Sequence, residues 1–448
     1  MPIKEQAPLQ KASDQEINDL LERFQPVEDP DDLPGEITRV KKVPGLEKLR
    51  DEPVQELSES DLEEVEDEFE LSEDDLEEMP KAKNGTLRRA EYRVVESREK
   101  GSDLKYGLAK EASPEHPDRN EDAAFYSAKR GIQMVADGMG GVPAGDYASA
   151  KAAEQLTRVG LEKADPEVRK TLEANREEVL DQKDVEKAVD AIIRQMNDEI
   201  VSFNATSPVV HEKAKEYFEK EMGSYDSEDA RQKKVMDSLL KSIGCTISMS
   251  KIWRDEKGKD NLTIGNVGDS RTYILRKGNL EKISRDDSHV QILIDEGLIK
   301  NDEDVLQQID KSTIIAMADK HPELRSLVPK LVQQADRYVT IDSIRNRITQ
   351  AVGVADMMKA QYGIDFKPFV KTIELEDGDL ILTATDGIAD NLTDSEIQAI
   401  LLLNSDNPLK AAQELQQTAT ERSIKGKKGN PRAKLDDVTA LTTLYKKT

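Results

Sequence analysis

In four places an apolar run of this chain meets a carboxylate at the point where the backbone turns. "MVADGMGG" delivers Asp137 onto Gly138, "IGNVGDSR" ends on Asp269, and "LTATDGIAD" places Asp386 before Gly387. "AKLDDVTAL" sets Asp436 and Asp437 just ahead of another apolar run, and "HPDRNEDAAFY" adds the adjacent pair Glu121 and Asp122. A single Asp at a strand end is ordinarily a turn former, because its side chain accepts from nearby backbone N–H groups. Repetition changes that reading. If the strands bring these ends to one edge, the carboxylates repel one another and shift their pKa values unless a cation sits between them. Hard divalent ions such as Mg²⁺ and Mn²⁺ favour all-oxygen shells, with water filling the remaining positions. Glycine lets the backbone approach closely, so the carbonyl of Gly138 is a further candidate ligand. The chemistry such a centre performs is activation of water.

Competing motifs fail on spacing. "DRNEDA" begins like a calcium-binding EF-hand loop, but its sixth position is Ala123 rather than Gly and its twelfth is Lys129 rather than Glu. There is no G-x-x-x-x-G-K-[ST] loop, and "GMGGVPAG" does not match G-x-G-x-x-G. Cys245 lacks the arginine of a Cys-x5-Arg phosphate loop and reads as a small buried strand residue. His116, His211, His289 and His321 show no H-x-x-x-H or H-E-x-x-H spacing, which disfavours zinc. No G-x-S-x-G elbow is present, so serine-hydrolase chemistry has no starting point.

The elements that must position the acids can be read from periodicity. Residues 91–97 ("EYRVVES"), 130–136, 261–267, 271–276, 379–385 and 438–445 are rich in β-branched or alternating apolar residues and predict strands. "RKGN" at 276–279 predicts a turn leading onto "LEKIS". Within 146–202, Val185, Val189, Ile192, Ile193, Met196 and Ile200 recur near every 3.6 residues and predict amphipathic helix. Residues 290–336 are also helix-like, with proline interruptions. Strand groups separated by helical blocks indicate an α+β fold.

Charge is unevenly spread. Residues 1–80 hold 27 Asp/Glu against 8 Lys/Arg, a net of −19, so of the chain's −26 only −7 remains for residues 81–448. Within the arm, residues 51–79 carry 16 acidic and no basic residues; self-repulsion with little to bury predicts disorder for residues 1–85. Leu62, Val65 and Phe69 could line one face of a short helix there, and "KAKNGTLRR" at 81–89 reads as a linker. "KGKKGNPRAK" at 425–434 reads as a flexible loop, not a nucleic-acid patch, and the acidic balance disfavours nucleic-acid binding. One cysteine excludes an intrachain disulfide. With no signal-like N-terminus and no long apolar run, the expectation is a cytoplasmic protein without a membrane span.

Taken in order, "NEDAAFY", "VADGMGG", "IGNVGDSRTYILRKG", "RITQAVGV", "GDLILTATDGIADNLTDSEI" and "LDDVTALTTLY" resemble the metal-dependent protein phosphatases of the PP2C (PPM) type. The likeness spans about 105–446, and the Gly-Met-Gly-Gly loop is similar to that of the prokaryotic branch. The resemblance implies a β-sandwich of two antiparallel sheets flanked by helices, with a binuclear Mn²⁺/Mg²⁺ centre at one end. It implies that Asp137 bridges both metals and Gly138 ligates through its carbonyl. Asp386 and Asp436 would bind the second metal, Glu121 and Asp122 would hold metal-bound waters, and Asp269 would belong to a third, weaker site. The catalytic assignments are Asp137 and Asp122. One position departs from the family. A phosphate-binding arginine is usual four residues before the Glu, where this chain has Pro117, so Arg119, two residues before Glu121, becomes the candidate. His116 is read as a turn residue in preference to a proton donor.

The domain organisation that follows is an acidic arm over 1–85 and a phosphatase domain over 90–446. That domain would carry a helical insertion near 156–242 and an extended flap near 288–346. The expected reaction is hydrolysis of phosphoserine and phosphothreonine in proteins by water activated between two Mn²⁺ or Mg²⁺ ions, without a covalent intermediate. The expected partners are phosphorylated proteins and a counterpart Ser/Thr kinase. Two alternatives stay open: a catalytically weak pseudophosphatase acting as a binding module, and a metal-dependent hydrolase of small phosphorylated molecules.

Overall fold

The computed structural model describes residues 90–97, 102–114, 116, 119–139, 144–427 and 430–447. The acidic arm, its Leu62, Val65 and Phe69, and the linker at 81–89 lie outside the described residues.

Two antiparallel sheets form the centre. The strands, in chain order, are β1 (Ala90–Ser97), β2 (Ser102–Glu111), β3 (Asp122–Ser127), β4 (Ile132–Gly138), β5 (Cys245–Arg254), β6 (Asp260–Val267) and β7 (Arg271–Arg276). They continue with β8 (Asn279–Lys282), β9 (Gln308–Asp310), β10 (Tyr338–Thr340), β11 (Phe369–Glu374), β12 (Leu380–Ala384) and β13 (Val438–Lys447). One sheet has the order β1-β2-β13-β12-β7-β8, the other β11-β6-β5-β4-β3, and β9 pairs with β10 in a small ribbon. The expected α+β sandwich is what the chain forms.

Period-2 alternation sorts each strand into two faces. Leu104, Tyr106 and Leu108 of β2, Val135 of β4, Ile264 of β6, Ile381 of β12 and Leu441 of β13 pack in the layer between the sheets. The opposite face of the five-stranded sheet, with Met134, Ala136, Ile247 and Met249, is covered by helices Gly145–Glu154, Gln182–Thr206, Pro208–Met222 and Ala230–Lys241. The opposite face of the other sheet, with Leu382 and Ala440, lies under helices Asp394–Leu403 and Pro408–Lys425. The result is four layers, helix on sheet on sheet on helix.

The six apolar residues from Val185 to Ile200 all lie buried on the helix Gln182–Thr206, which starts on the Asp181 cap. The expected helical stretch 146–202 is nevertheless four helices. Thr157 caps one, and Asp165 with Pro166 at the first helical position starts another. The 276–279 turn closes a hairpin, with Lys277 (φ 50) and Gly278 (φ 85) both left-handed. That matches the primed turn whose twist suits paired strands. Residues 290–336 form short helices, among them His289–Asp295, Lys311–Met317 and Val328–Gln333, around a small core of their own. Among the described residues no helix is long and apolar enough to cross a membrane.

Candidate metal centre

Along the inter-sheet layer the character of the side chains changes. Past the apolar end, Gln133 donates to Thr383 Oγ1 at 3.0 Å, Ser248 pairs with Thr272 at 2.8 Å and Thr246 with Ser270 at 2.7 Å. Beyond these hydroxyls the same faces end in carboxylates.

Asp122 opens β3 and Asp137 is its Cα partner on β4. Thr385, after β12, and Thr439, on β13, donate to Asp122 Oδ2 at 2.8 and 2.6 Å. The two strands belong to different sheets from Asp122, so these bonds tie the sheets together at the site. Asp386 begins the short helix Asp386–Ala389, and Asp436 immediately precedes Asp437 and β13. The Asp137 and Asp386 carboxylates are neighbours, and Asp386 is the charge that weighs most on Asp137.

Gly138 ends β4, and its N–H donates to the Glu121 carbonyl at 2.9 Å. A Cβ there would lie 2.2 Å from the carbonyl oxygen of Gly145, so the close approach of loop and helix excludes any other residue.

Asp437 holds the entry to β3. Its two carboxylate oxygens accept from the backbone N–H groups of Ser113 and Glu121, each at 2.6 Å. The Glu121 side chain turns to Arg119, whose Nη2 is 2.9 Å from Oε1. His116 stands beside both, 4.0 Å from Glu121 Oε2 and 3.8 Å from Asp437 Oδ1. His116, Glu121 and Asp437 thus bring donor atoms within 4.8 Å of one another.

Asp269, in the turn between β6 and β7, borders a narrow cleft that also contains Asp386 and Asp390. Its loop is fixed by Asp287, which accepts from Gly268 N at 3.2 Å. Asp269 therefore flanks Asp386 from the side of Asp286 and Asp302, while Asp122 and Asp137 lie on β3 and β4.

Electrostatics follow from this crowding. Burial, then the charges of Asp386, Asp122 and Asp436, raise the Asp137 pKa well above the usual carboxylate range. Burial and Asp437 do the same to Asp122, and burial and Asp386 to Asp269. Burial and the Asp386 charge push Asp436 to about 7 against the opposing pull of Lys434. Burial also raises Glu121 to about 7, with Arg119 and His116 opposing. Burial would raise Asp386 too, but the Lys434 ammonium outweighs it and holds that carboxyl below its ordinary value.

The donor set fits hard divalent ions. It consists of carboxylate oxygens, and Asp122 Oδ1 and Asp386 Oδ1 are buried with no hydrogen-bond partner. A buried carboxylate oxygen without a donor is costly, and a cation meets that need.

Two further residues of this cluster, Lys434 and Asp390, carry no pattern of their own in the sequence beyond their spacing from Asp436 and Asp386. Lys434 Nζ lies 2.6 Å from Asp386 Oδ2, 3.0 Å from Asp390 Oδ2 and 2.7 Å from Asp436 Oδ2. Asp390 sits four residues after Asp386, one helical turn on, a spacing visible in "DGIAD". Lys434 lies two residues before Asp436, which places the two on the same side of an extended segment.

The protein phosphatase 2C family profile matches residues 116–418. The serine/threonine protein phosphatase PstP of Mycobacterium tuberculosis (strain H37Rv) is 29% identical over 138 residues, 31% of this chain and 18% of that relative's length. The chain thus matches less than a fifth of the curated relative. Among solved structures, the M. tuberculosis phosphatase PstP/Ppp has a TM-score of 0.44 at 22% identity, covering 76% of this chain and 98% of that one. The PstP catalytic domain in complex with two manganese ions has a TM-score of 0.45 at 20% identity, covering 77% and 99%. Stp1 from Staphylococcus aureus has a TM-score of 0.45 at 20% identity, covering 80% and 96%.

Proposed function

The chain belongs to the protein phosphatase 2C family, and from that premise we propose that it hydrolyses phosphoserine and phosphothreonine esters in proteins at a centre of two Mn²⁺ or Mg²⁺ ions. The observation that carries the proposal is the gathering of Asp122, Asp137, Asp386 and Asp436 at one end of the sandwich, with buried oxygens of Asp122 and Asp386 left without donors. Asp137 and Asp386, with Asp436 beside them, are the residues assigned to hold the ions. Gly138 would contribute its carbonyl, and Asp269 would attend a third, weaker position. Bound there, the ions would supply Lewis acidity and a nucleophile derived from water for in-line displacement at phosphorus.

The remaining roles belong to the chain itself. The Thr385 and Thr439 hydroxyls hold Asp122 ionisable and oriented through Oδ2, leaving Oδ1 for the centre. Asp437 fixes the backbone of Glu121 and so sets where the Glu121–Asp122 pair begins. Arg119 is half exposed at the rim, and its guanidinium fork would exchange Glu121 for the substrate phosphate. His116, adjacent to Glu121 and Asp437, is positioned at the same rim but receives no proton-transfer role.

The flap over 288–346 would form the substrate-facing wall, and the arm over 1–85 would act outside the catalytic domain of 90–446. The proposed setting is the cytoplasm, opposite a Ser/Thr kinase that phosphorylates the same proteins.

The test is Mn²⁺-dependent phosphate release from a phosphothreonine peptide, abolished by EDTA. Absence of turnover at saturating Mn²⁺ would sink the enzyme reading in favour of a binding module. That second reading draws on one observation, the Lys434 ammonium set among Asp386, Asp390 and Asp436. Faster release from small phosphometabolites than from the peptide would shift the substrate class.

A further inference from the structure

We infer that the Lys434 ammonium is a resident cation of the metal centre, and that a divalent ion loading onto Asp386 and Asp436 competes with it and drives it toward solvent. The inference rests on the proposed metal reading and adds to it a built-in competitor. Three carboxylates, Asp386, Asp390 and Asp436, converge on Lys434 Nζ at 2.6–3.0 Å, the distances of charge-assisted contacts. Asp386 and Asp436 are also two of the residues assigned to an ion; Lys434 holds Oδ2 of each, and an ion meeting the unpartnered Asp386 Oδ1 would stand beside the ammonium, where the two positive charges repel.

The surrounding structure delivers this ammonium deliberately. The Asn391 side chain grips the Lys434 backbone on both sides, accepting from its N–H at 3.1 Å and donating to its carbonyl at 3.0 Å. Two residues earlier, Arg432 donates to the carbonyls of Asp302, Glu303 and Ala389 at 2.7, 3.0 and 2.5 Å. Arg345 in turn donates to the Arg432 carbonyl at 2.6 Å. With the backbone anchored, the route by which Lys434 leaves is rotation of its own side chain. That side chain is 20% exposed and flexible enough to swing toward solvent.

Two consequences follow. In the metal-free protein Lys434 offsets part of the carboxylate repulsion and stabilises the empty fold. In the loaded protein it lowers the affinity of the ion that touches Asp386 and Asp436, leaving the Asp122–Asp137 side of the centre less affected. Loading of that position therefore tracks the free divalent-ion concentration.

The experiment is Mn²⁺ binding by calorimetry and equilibrium dialysis on the full chain, comparing wild type with Lys434→Met and Lys434→Arg. Lys434→Met, which keeps the length and loses the charge, is expected to tighten the weaker Mn²⁺ site by about tenfold or more, the scale of removing one close like charge. The same variant should melt earlier than wild type in EDTA, and Lys434→Arg should keep the weak site. Equal Mn²⁺ affinity in wild type and a folded Lys434→Met variant would overturn the inference while leaving the metal reading intact. If neither protein takes up Mn²⁺, the metal reading itself falls, and this inference with it. A wild-type measurement guards against misfolding of the variant. Acetic anhydride labelling of Lys434, read by peptide mass spectrometry, should rise several-fold when Mn²⁺ replaces EDTA. An unchanged labelling rate in protein shown by dialysis to hold Mn²⁺ also overturns it.

Discussion

Asp122 and Asp137 stand directly opposite one another as partners in the β3–β4 ladder. Like charges in that relation destabilise a sheet, and burial raises both carboxylates well above their ordinary range. Asp137→Asn removes one of the pair while keeping its shape. Metal-free protein carrying it should melt about 2–4 °C higher, as expected for ~1 kcal/mol of relieved repulsion. The same variant should lose Mn²⁺-dependent turnover and the thermal shift that Mn²⁺ produces. Parallel melting curves with EDTA and with Mn²⁺ test both halves; wild-type turnover by this variant would remove Asp137 from the centre.

Arg119 is paired with Glu121 at 2.9 Å yet is 49% exposed on its side chain, free enough to change partners. Arg119→Ala should raise KM for a phosphothreonine peptide about tenfold, in line with one charge-assisted hydrogen bond of ~1.5 kcal/mol or more, and leave kcat nearly unchanged. Steady-state kinetics across peptide concentrations give the split. An unaltered KM returns Arg119 to a purely local role beside Glu121.

Arg432 fastens the segment before Asp436 to the loop carbonyls of Asp302 and Glu303 and to the Ala389 carbonyl at the end of the helix Asp386–Ala389. Arg432→Met keeps the bulk and strips the donors from the buried Ala389 carbonyl and the partly buried carbonyls of Asp302 and Glu303. Stability should fall by about 3 kcal/mol. Hydrogen exchange should quicken around residues 300–305 and 389–391 before it does in the sheets. Uniform exchange changes across the domain would argue against a local fastening.

His289, at the start of the helix His289–Asp295, is buried, with Nε2 2.9 Å from the Glu323 carbonyl and 3.1 Å from Ser326 Oγ. Burial lowers its pKa from 6.5 to about 4. In the unfolded chain the ring protonates near its ordinary value, so between pH 6.5 and 4 the unfolded state binds the proton that the folded state refuses. Its contribution is therefore present above pH 6.5 and is lost as pH falls toward 4. His289→Gln should flatten the decline of Tm over that window relative to wild type. A parallel decline in both proteins would show that other groups govern it.

The acids of the site were legible because strand ends flanked by glycine leave a mark in sequence. Asp137, Asp386 and Asp436 lie near one another, whereas Asp269 borders the cleft that also holds Asp286, Asp302 and Asp386. Lys434 and Asp390 left no comparable mark, since their importance arises from the loop before β13 folding over the helix at Asp386. Strands divided in the same way. β7, β12 and β13 announce themselves by apolar content, while β5, "CTISMSKIWR", hides its alternation. Thr246 and Ser248 occupy its inner face and are satisfied by Ser270, in the turn before β7, and by Thr272 on β7 of the opposite sheet. A hydroxyl that finds its partner only across two sheets reads as a loop residue in one dimension. β11 is an edge strand and only partly buried, so its apolar signal is weak.

β13 lies in the interior of its sheet, between β2 and β12, although 326 residues lie between Val438 and its neighbour Glu111 along the chain. Pairings of such long sequence separation form late and slowly. Asp436 and Asp437 travel with this strand, so during synthesis the centre has no second wall until residues past 438 have emerged. Until then Asp122 lacks Thr439 and Glu121 lacks Asp437. A prematurely terminated chain would therefore lack both the Thr439 bond to Asp122 and the Asp437 clasp on the Glu121 backbone, so the carboxylate cluster is completed only when β13 takes its place.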